Sequence, residues 1–390
     1  MDFTPLRDRD RGDRVRTFLL TSHDGFGLGH FRRNTVIARH LVERDPHVEV
    51  VIVSGVDAEP RWGAHPRIRT VRVPPLLKDA GGAYRNAGMS FEAAVGQRRS
   101  VFSELVRTLR PAVILVDRHP YGTGGELREG LELARRKGAA TVLGLRDVLD
   151  EPGAVQAELA GAGWDGVDEN FDEIFVYGHP SVCDHEREYG LPLEPRYCGY
   201  IGAASLGEAV AQHIDPHHLV VSAGGGGDGA AVLGLGVDLV RQRPDWRATL
   251  IAGPYGDARD LAGRVDGLGL AERVTVLAET ADCPELAAGA GAVLQMAGYN
   301  STVEALEVGL RALLVPRRAP RREQAIRAAR FAHLGLADMV DVGAAVDEVA
   351  WLLDRPRRLA PGALTRADIR LDGGRTAAER LLELARVTTG

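Results

Sequence analysis

The sequence predicts an α/β protein with two domains, each a parallel β-sheet covered by helices, that face each other across a cleft. Three observations support this prediction. The chain has 390 residues, more than one hydrophobic core usually serves. Apolar runs of strand length alternate with helical patterns from Val15 almost to the end, as expected for parallel sheets. A glycine-rich, weakly periodic segment at 199–207 separates the two halves.

These observations predict four parts of the chain. Residues 1–14 form a mobile leader, because their charges alternate in sign and they lack an apolar core. An N-terminal α/β domain spans 15–200, and a C-terminal α/β domain spans 208–372. The chain ends in a separate amphipathic helix within 373–390. Two similar domains joined by a linker create a cleft, where ligands commonly bind.

Each predicted element follows from its apolar period. The expected strands of the first half lie near 15–22, 48–54, 67–73, 112–117, 140–145, 173–177 and 196–199. Its expected helices lie near 30–44, 91–109, 124–137 and 181–189. The second half is predicted to contain strands near 217–222, 247–252, 273–276, 291–295 and 312–315. Its helices are predicted near 228–243, 257–267, 283–288, 300–309, 321–334 and 343–354. The long connection at 74–90 is expected to be functional.

Composition excludes several classes of protein. The net charge of −6 provides no general basicity for binding nucleic acid. Three cysteines fit neither a zinc motif nor a disulfide framework, so a reducing, cytoplasmic location is expected. No apolar run reaches about 18 residues, so no membrane-spanning helix is expected.

The turn after the strand at 291–295 carries the strongest functional signal. Residues suited to an open turn and a helix start follow this strand, namely Gly298, Asn300, Ser301 and Thr302. Unpaired N–H groups at a helix start attract a diphosphate. Glu304 lies about one turn further, where its carboxylate can accept hydrogen bonds from two ribose hydroxyls. This stretch therefore predicts a site for a nucleoside diphosphate.

A second glycine turn follows the strand at 217–222. Its four consecutive glycines are Gly224, Gly225, Gly226 and Gly227. Glycines allow backbone N–H groups to approach a phosphate closely. The pattern differs from both the dinucleotide fingerprint and the Walker loop, because neither the acidic residue nor the Gly-Lys-Ser/Thr follows. We expect the diphosphate to lie between this turn and the helix start at Asn300–Thr302.

The third cluster is the glycine-punctuated turn His23–His30 after the first strand. His30 stands where this turn becomes a helix, at the sheet edge where open α/β sheets bind ligands. It is the first candidate for a general base, and Asp24 is the second. Asp117, at the end of another strand, is a third candidate for which a loop-capping role is favoured. The Asp-x-Asp sequence at Asp8–Asp10 lies in the charged leader, and no cluster in the chain has clear metal-ligand spacing, so no metal is expected.

The three clusters, together with Glu323 and Gln324 after Pro316, resemble the GT-B glycosyltransferases. Within that fold, the chain is similar to the MurG-like family, named for the bacterial peptidoglycan N-acetylglucosaminyltransferase, and to a related branch with Gly-x-Gly-His-x-Arg-Arg, here Gly27–Arg33. The resemblance spans nearly the whole chain. It implies two Rossmann-like domains, the first for the acceptor and the second for the nucleotide sugar.

The resemblance also implies an activity and roles for residues. It implies metal-independent transfer of a hexose from a nucleotide-diphosphate sugar, a UDP-sugar, to an acceptor hydroxyl, with no cofactor besides the donor. Glu304 would hold the ribose, and Gly298–Thr302 with Gly224–Gly227 would hold the diphosphate. Glu323 and Gln324 match a Gln-Gln pair that contacts the donor sugar, with Glu in the first place. The expected acceptor is a small or lipid-linked molecule, with peripheral membrane contact in the second case.

Other functions fit the same residues. A nucleotide-sugar hydrolase of the nonulosonic-acid type also begins with a Gly-x-Gly-His loop. A UDP-sugar 2-epimerase would share the scaffold but needs additional acids in the cleft. A nucleotide-sugar sensor without catalysis is disfavoured by the position of His30 between glycines.

Overall fold

A computed structural model contains two parallel β-sheets with helices on their faces, as the sequence predicts. The structure describes residues 15–22, 29–56, 64–78, 84–86, 88–202, 213–224, 229–253, 256–280, 283–317, 319 and 321–387. The predicted leader at 1–14 and most of the glycine-rich linker lie outside this range. Asp24 and Gly225–Gly227 also lie outside it.

The first half of the chain forms a seven-stranded parallel sheet and a separate antiparallel pair. Its strands are β1 (Arg16–Thr21), β2 (Val48–Ser54), β3 (Ile68–Arg72), β4 (Leu77–Lys78), β5 (Tyr84–Arg85), β6 (Val113–Asp117), β7 (Ala140–Arg146), β8 (Glu173–Tyr177) and β9 (Pro195–Tyr197). The order in the sheet is β3-β2-β1-β6-β7-β8-β9, while β4 pairs with β5. Its helices are α1 (Gly29–Arg44), α2 (Phe91–Leu109), α3 (Arg128–Arg136), α4 (Pro152–Leu159), α5 (Val167–Asn170) and α6 (His185–Tyr189).

The second half forms a six-stranded parallel sheet in the order β12-β11-β10-β13-β14-β15. The strands are β10 (Asp215–Ser222), β11 (Arg247–Ile251), β12 (Val274–Leu277), β13 (Ala290–Met296), β14 (Ala312–Val315) and β15 (Ala337–Met339). The helices are α7 (Ala230–Gln242), α8 (Ala258–Gly267), α9 (Cys283–Gly289), α10 (Tyr299–Glu307), α11 (Glu323–His333), α12 (Val346–Leu353), α13 (Ala363–Arg366) and α14 (Gly373–Val387). No helix in the described ranges is long and apolar enough to cross a membrane.

The predicted elements occur close to their expected positions, and the elements that were missed are short. For example, α4 buries only Val155, so its sequence shows no apolar stripe of helical period. The connection predicted at 74–90 contains β4 and β5, each two residues long. Strand β15 has three residues, too few to establish an alternating pattern.

The final helix, α14, returns to the first half of the molecule and packs along α1. Its inward face is fully buried, as shown by Ala377 and Leu381. The contact is close, because a Cβ on Gly374 would lie only 2.6 Å from Cγ1 of Val36. The predicted terminal helix therefore exists and forms part of the packing of the first half.

Candidate active site

The carboxyl ends of β1 and β6 bring His30 and Asp117 together. These strands are neighbours in the parallel sheet, so the helix that follows β1 begins beside the last residue of β6. Nδ1 of His30 lies 2.8 Å from Oδ2 of Asp117, although the residues are 87 positions apart in sequence. The Asp117 side chain is almost fully buried and that of His30 is 19% exposed. This geometry is that of a histidine oriented by a carboxylate.

Arg33, one turn further along α1, completes this cluster. Its Nη2 lies 2.8 Å from Nδ1 of His30 and 3.4 Å from Oδ2 of Asp117. A single ring nitrogen cannot donate to the carboxylate and accept from the guanidinium at once. With the proton on Nδ1, His30 donates to Asp117, and Arg33 faces the carboxylate. Nε2 then carries the lone pair that a general base requires.

The surroundings of His30 keep its imidazole neutral. Burial lowers its pKa, Asp117 raises it, and Arg33 and Arg146 lower it further; the result lies below the ordinary value of 6.5. A base must be unprotonated to accept a proton. His30 therefore carries its lone pair at neutral pH.

Asp117 has a larger role in this geometry than its sequence context indicated. The favoured interpretation as a loop cap misses its contact with His30. Neighbouring parallel strands end at the same edge of a sheet, which is the signal that could have paired these residues. The pairing can be predicted in this way only when the strand order is known, because it depends on β6 lying beside β1.

The start of α10 differs from the prediction in its capping. Gly298 is the N-cap residue, and no side chain caps the helix by a hydrogen bond. Asn300, Ser301 and Thr302 lie within the first turn, so the prediction that they cap the helix is wrong. The N–H group of Thr302 donates to the carbonyl of Gly298 at 3.0 Å. The N–H groups of Asn300 and Ser301 belong to the first turn, where a helix provides no acceptors of its own. The N-terminus of α10 thus keeps free backbone donors, and the expected diphosphate site there stays a prediction.

Glu304 lies in the second turn of α10 and contacts the first half of the chain. Its Oε1 accepts a hydrogen bond from Nη1 of Arg32 on α1. Burial raises the pKa of Glu304 above its ordinary value, and Arg32 only partly offsets this. One carboxylate oxygen is thus engaged across the interface between the two sheets.

The start of α1 and the start of α10 are in close contact. A Cβ added to Gly29 would lie 3.0 Å from Nδ2 of Asn300. The cavity between the two helices has a volume of about 10 Å³, roughly room for one water molecule. It is lined by residues of both halves, namely Arg32, Arg33, Val36, Ile201, Gly202, Asn300 and Glu304. A nucleotide at this position would need the two halves to separate.

Of the four consecutive glycines, the described residue Gly224 adopts a left-handed conformation with φ of 69°. Its N–H donates to Oγ of Ser222 at 3.3 Å. The adjoining turn is also crowded, because a Cβ on Gly253 would lie 2.3 Å from the carbonyl oxygen of Gly224. Gly225, Gly226 and Gly227 lie outside the described residues, so their expected role at the diphosphate stays a prediction.

Glu323 and Gln324 begin α11 and are buried at the interface between the halves. Oε1 of Glu323 accepts a hydrogen bond from Nη2 of Arg317 at 2.7 Å, and Nη2 of Arg146 lies 3.9 Å from the same oxygen. Burial raises the pKa of Glu323, but Arg146 and Arg317 outweigh it, so the pKa lies below the ordinary value. Oε1 of Gln324 accepts from the N–H of Arg317 at 3.2 Å.

A buried ion pair joins the two halves behind this site. Arg327 of α11 donates to Asp147, with Nη2 2.6 Å from Oδ1 and Nε 2.8 Å from Oδ2. Both side chains are essentially inaccessible to solvent. Nη1 of Arg327 also donates to the carbonyl of Ala297 at 2.9 Å, directly before the start of α10. The pair therefore fixes α11 and the turn before α10 against the first sheet.

Several residues at this site were not identified from the sequence. Arg32, Arg33, Arg146 and the Arg327–Asp147 pair all lie between the two halves. Two features of the sequence could have indicated them: the consecutive arginines at 32–33 and the position of Arg146 at the end of a strand. In the described part of the chain, no group of three or more His, Cys, Asp or Glu residues is arranged to hold a metal ion.

Comparison with solved structures identifies the fold. The chain is similar to MurG of Acinetobacter baumannii, with 12% identity, a TM-score of 0.56, and coverage of 96% of this chain and 99% of that one. It is similar to Medicago truncatula UGT71G1 complexed with UDP-glucose, with 12% identity, a TM-score of 0.62, and coverage of 96% and 98%. It is also similar to a UDP-N-acetylglucosamine 2-epimerase, with 12% identity, a TM-score of 0.60, and 95% coverage of both chains.

No protein-family model matches the chain. No curated protein sequence matches it either. The structural similarities extend over nearly the whole length of both chains, so the fold is GT-B, with two Rossmann-like α/β domains. This result confirms the fold that the sequence predicts.

Proposed function

We propose that this protein is a metal-independent glycosyltransferase that moves a sugar from a nucleoside diphosphate, UDP in the first instance, to an acceptor hydroxyl. The observation that carries the proposal is the His30–Asp117 pair facing the start of α10. A candidate base beside a candidate diphosphate-binding helix start supports a transfer reaction. The fold, which UDP-glucose-binding and UDP-sugar-converting proteins share, is consistent with this activity.

The proposed reaction assigns a task to each side of the cleft. The acceptor oxygen attacks the anomeric carbon of the donor sugar, and the bond from that carbon to the diphosphate oxygen breaks. Nε2 of His30 takes the proton of the acceptor hydroxyl, while Asp117 holds the ring by accepting from Nδ1–H. The departing diphosphate gains negative charge, which the N–H groups at the start of α10 stabilise.

The proposal is tested by incubating the protein with nucleotide sugars, with and without a panel of hydroxyl-bearing acceptors. Transfer to an acceptor, persisting in excess chelator, is the expected result, because helix N–H groups replace a metal at the diphosphate. Release of free sugar irrespective of acceptor would instead identify a hydrolase. Strict dependence on magnesium or manganese would contradict the proposed stabilisation of the leaving group.

A 2-epimerase is the second candidate, because a 2-epimerase structure resembles this chain as closely as the glycosyltransferase structures do. Such an enzyme needs acids that exchange a proton on the sugar ring. Of the buried acids nearby, Asp147 is paired with Arg327 and Asp117 with His30. Glu304 is paired with Arg32, while Glu323 keeps one carboxylate oxygen without a hydrogen-bond partner in the described part of the chain. Conversion of one UDP-sugar into its epimer in the same incubation would select this function over transfer.

Glu304→Ala is expected to weaken binding of UDP about tenfold or more, because a buried ribose hydroxyl pair would lose its acceptor at a cost of roughly 1–3 kcal/mol. Isothermal titration calorimetry measures the change. Arg32→Gln is the matched control, since it removes the partner of Glu304 across the cleft and keeps the carboxylate. Unchanged affinity of Glu304→Ala for UDP would place the ribose elsewhere.

A further inference from the structure

Arg146 lies at the candidate active site, but the proposed reaction assigns it no role. It is the last residue of β7, and β7 lies next to β6, whose last residue is Asp117. Its side chain is 20% exposed. Nε is buried and has no hydrogen-bond partner among the residues that the structure describes. A buried guanidinium donor without an acceptor is costly, so a ligand that supplies the acceptor would relieve a penalty.

The nearest carboxylate does not satisfy Arg146. Nη2 of Arg146 lies 3.9 Å from Oε1 of Glu323, beyond the length of a hydrogen bond. Arg317 already donates to that oxygen at 2.7 Å. The other oxygen, Oε2, is buried without a hydrogen-bond partner in the described part of the chain. The two facing side chains thus present one unused donor and one unused acceptor.

The electrostatic surroundings of Arg146 favour an anion. The pKa of Arg146 is lowered to about 10, mainly by burial. Glu323 raises this pKa, while Arg327, Arg118 and other nearby guanidinium groups lower it further. Arg146 therefore remains charged at neutral pH, in a region with neighbouring positive charges. A neutral hydroxyl would satisfy its hydrogen bond but would not offset this charge, whereas a carboxylate matches both the charge and the planar fork of a guanidinium.

The position of Arg146 relates it to the transferred sugar. It ends the strand next to that of Asp117, the partner of His30, and its guanidinium faces Glu323. Under the proposed function, the anomeric carbon of the sugar must come within reach of the proton acceptor on His30. A ligand group that meets Arg146 and Glu323 together then belongs to the same sugar.

We infer that Arg146 binds a carboxylate on the donor sugar, so that the preferred donor is a nucleotide-linked uronic acid or a similar acidic sugar. Oε2 of Glu323 accepts a hydrogen bond from a neighbouring sugar hydroxyl. This inference rests on the proposed function. It adds to that function the chemical class of the sugar and the residue that selects it.

The test uses UDP, UDP-glucose and UDP-glucuronate, the last two differing only in a hydroxymethyl or a carboxylate group at C6. Calorimetry with the wild-type protein is expected to show at least about tenfold tighter binding of UDP-glucuronate than of UDP-glucose, as one charged hydrogen-bonded pair provides. Arg146→Gln should lose this preference and keep its affinity for UDP. Arg146→Lys should retain part of it, because it keeps the charge without the fork.

Arg136→Gln is the matched control, since this arginine lies on the exposed surface of α3 and pairs only loosely with Glu132. It should bind all three ligands as the wild type does, and thermal melting should show that each variant is folded. Equal affinity of the wild type for the two sugars would overturn the inference and leave the proposed function intact. A matching loss of UDP affinity in Arg146→Gln would overturn it too, since Arg146 would then contact the diphosphate. Failure of the wild type to bind UDP at all would instead contradict the proposed function.

Discussion

Turnover by the His30→Ala protein is expected to fall about 10²–10⁴-fold, the usual contribution of a general base. Donor affinity should change little, because the ribose and diphosphate are assigned to the opposite half of the cleft. Steady-state kinetics measures the first quantity, and calorimetry with UDP measures the second. His30→Gln is the matched variant, as it fills a similar volume without providing a base.

Near-normal turnover by His30→Ala would remove His30 from the mechanism, and Asp24 would become the next candidate. A large loss of UDP affinity would mean that His30 contacts the phosphates and does not act as a base. The two readouts together therefore distinguish a base from a binding residue.

The pH profile provides an independent check on the same dyad. The base must be neutral, so wild-type activity should fall as the pH decreases through the pKa of His30, which burial places below 6.5. Asp117 raises this pKa and Arg33 lowers it. Asp117→Asn should therefore move the acid limb of the profile to lower pH, and Arg33→Gln should move it to higher pH. Shifts in the same direction for both variants would contradict this assignment.

The second large effect concerns stability. Asp147→Ala is expected to lower the free energy of unfolding by about 3–5 kcal/mol, because it leaves the buried Arg327 guanidinium without its counter-charge. Urea denaturation followed by circular dichroism measures the change. The double variant Asp147→Leu/Arg327→Met should recover much of the loss, since it removes both charges and retains apolar volume.

Glu151→Ala is the control for that experiment. Its ion pair with Arg322 also joins the two halves, but both side chains are about half exposed. Exposed pairs contribute about 1 kcal/mol or less, so this variant should unfold almost as the wild type does. A loss as large as that of Asp147→Ala would show that burial is not the source of the effect.

The fold could be predicted from the sequence because its signals are local. Each long strand and helix has its own apolar period, and the β13–turn–α10 unit is recognisable within the 18 residues Ala290–Glu307. Capping was harder to predict, because Asn300, Ser301 and Thr302 all suit a helix start. The backbone instead uses Gly298 one residue before the helix.

Contacts between the halves could not be predicted in the same way. The pairs Arg32–Glu304 and Asp147–Arg327 join residues far apart in sequence, and no local pattern relates one partner to the other. The His30–Asp117 pair is intermediate, because it follows from the strand order once that order is known. Side-chain pairing across a cleft depends on how two surfaces meet. The apolar period of each helix or strand shows which face it buries, but not which residue it meets on the other surface.

Because α14 packs on α1, the last helix of the chain belongs in space to the first half of the molecule. A fragment that stops before the second sheet would expose the apolar surface of α1 that Ala377 and Leu381 normally cover. To express the first half separately, the segment Gly373–Val387 must therefore be attached through a linker or added as a second peptide.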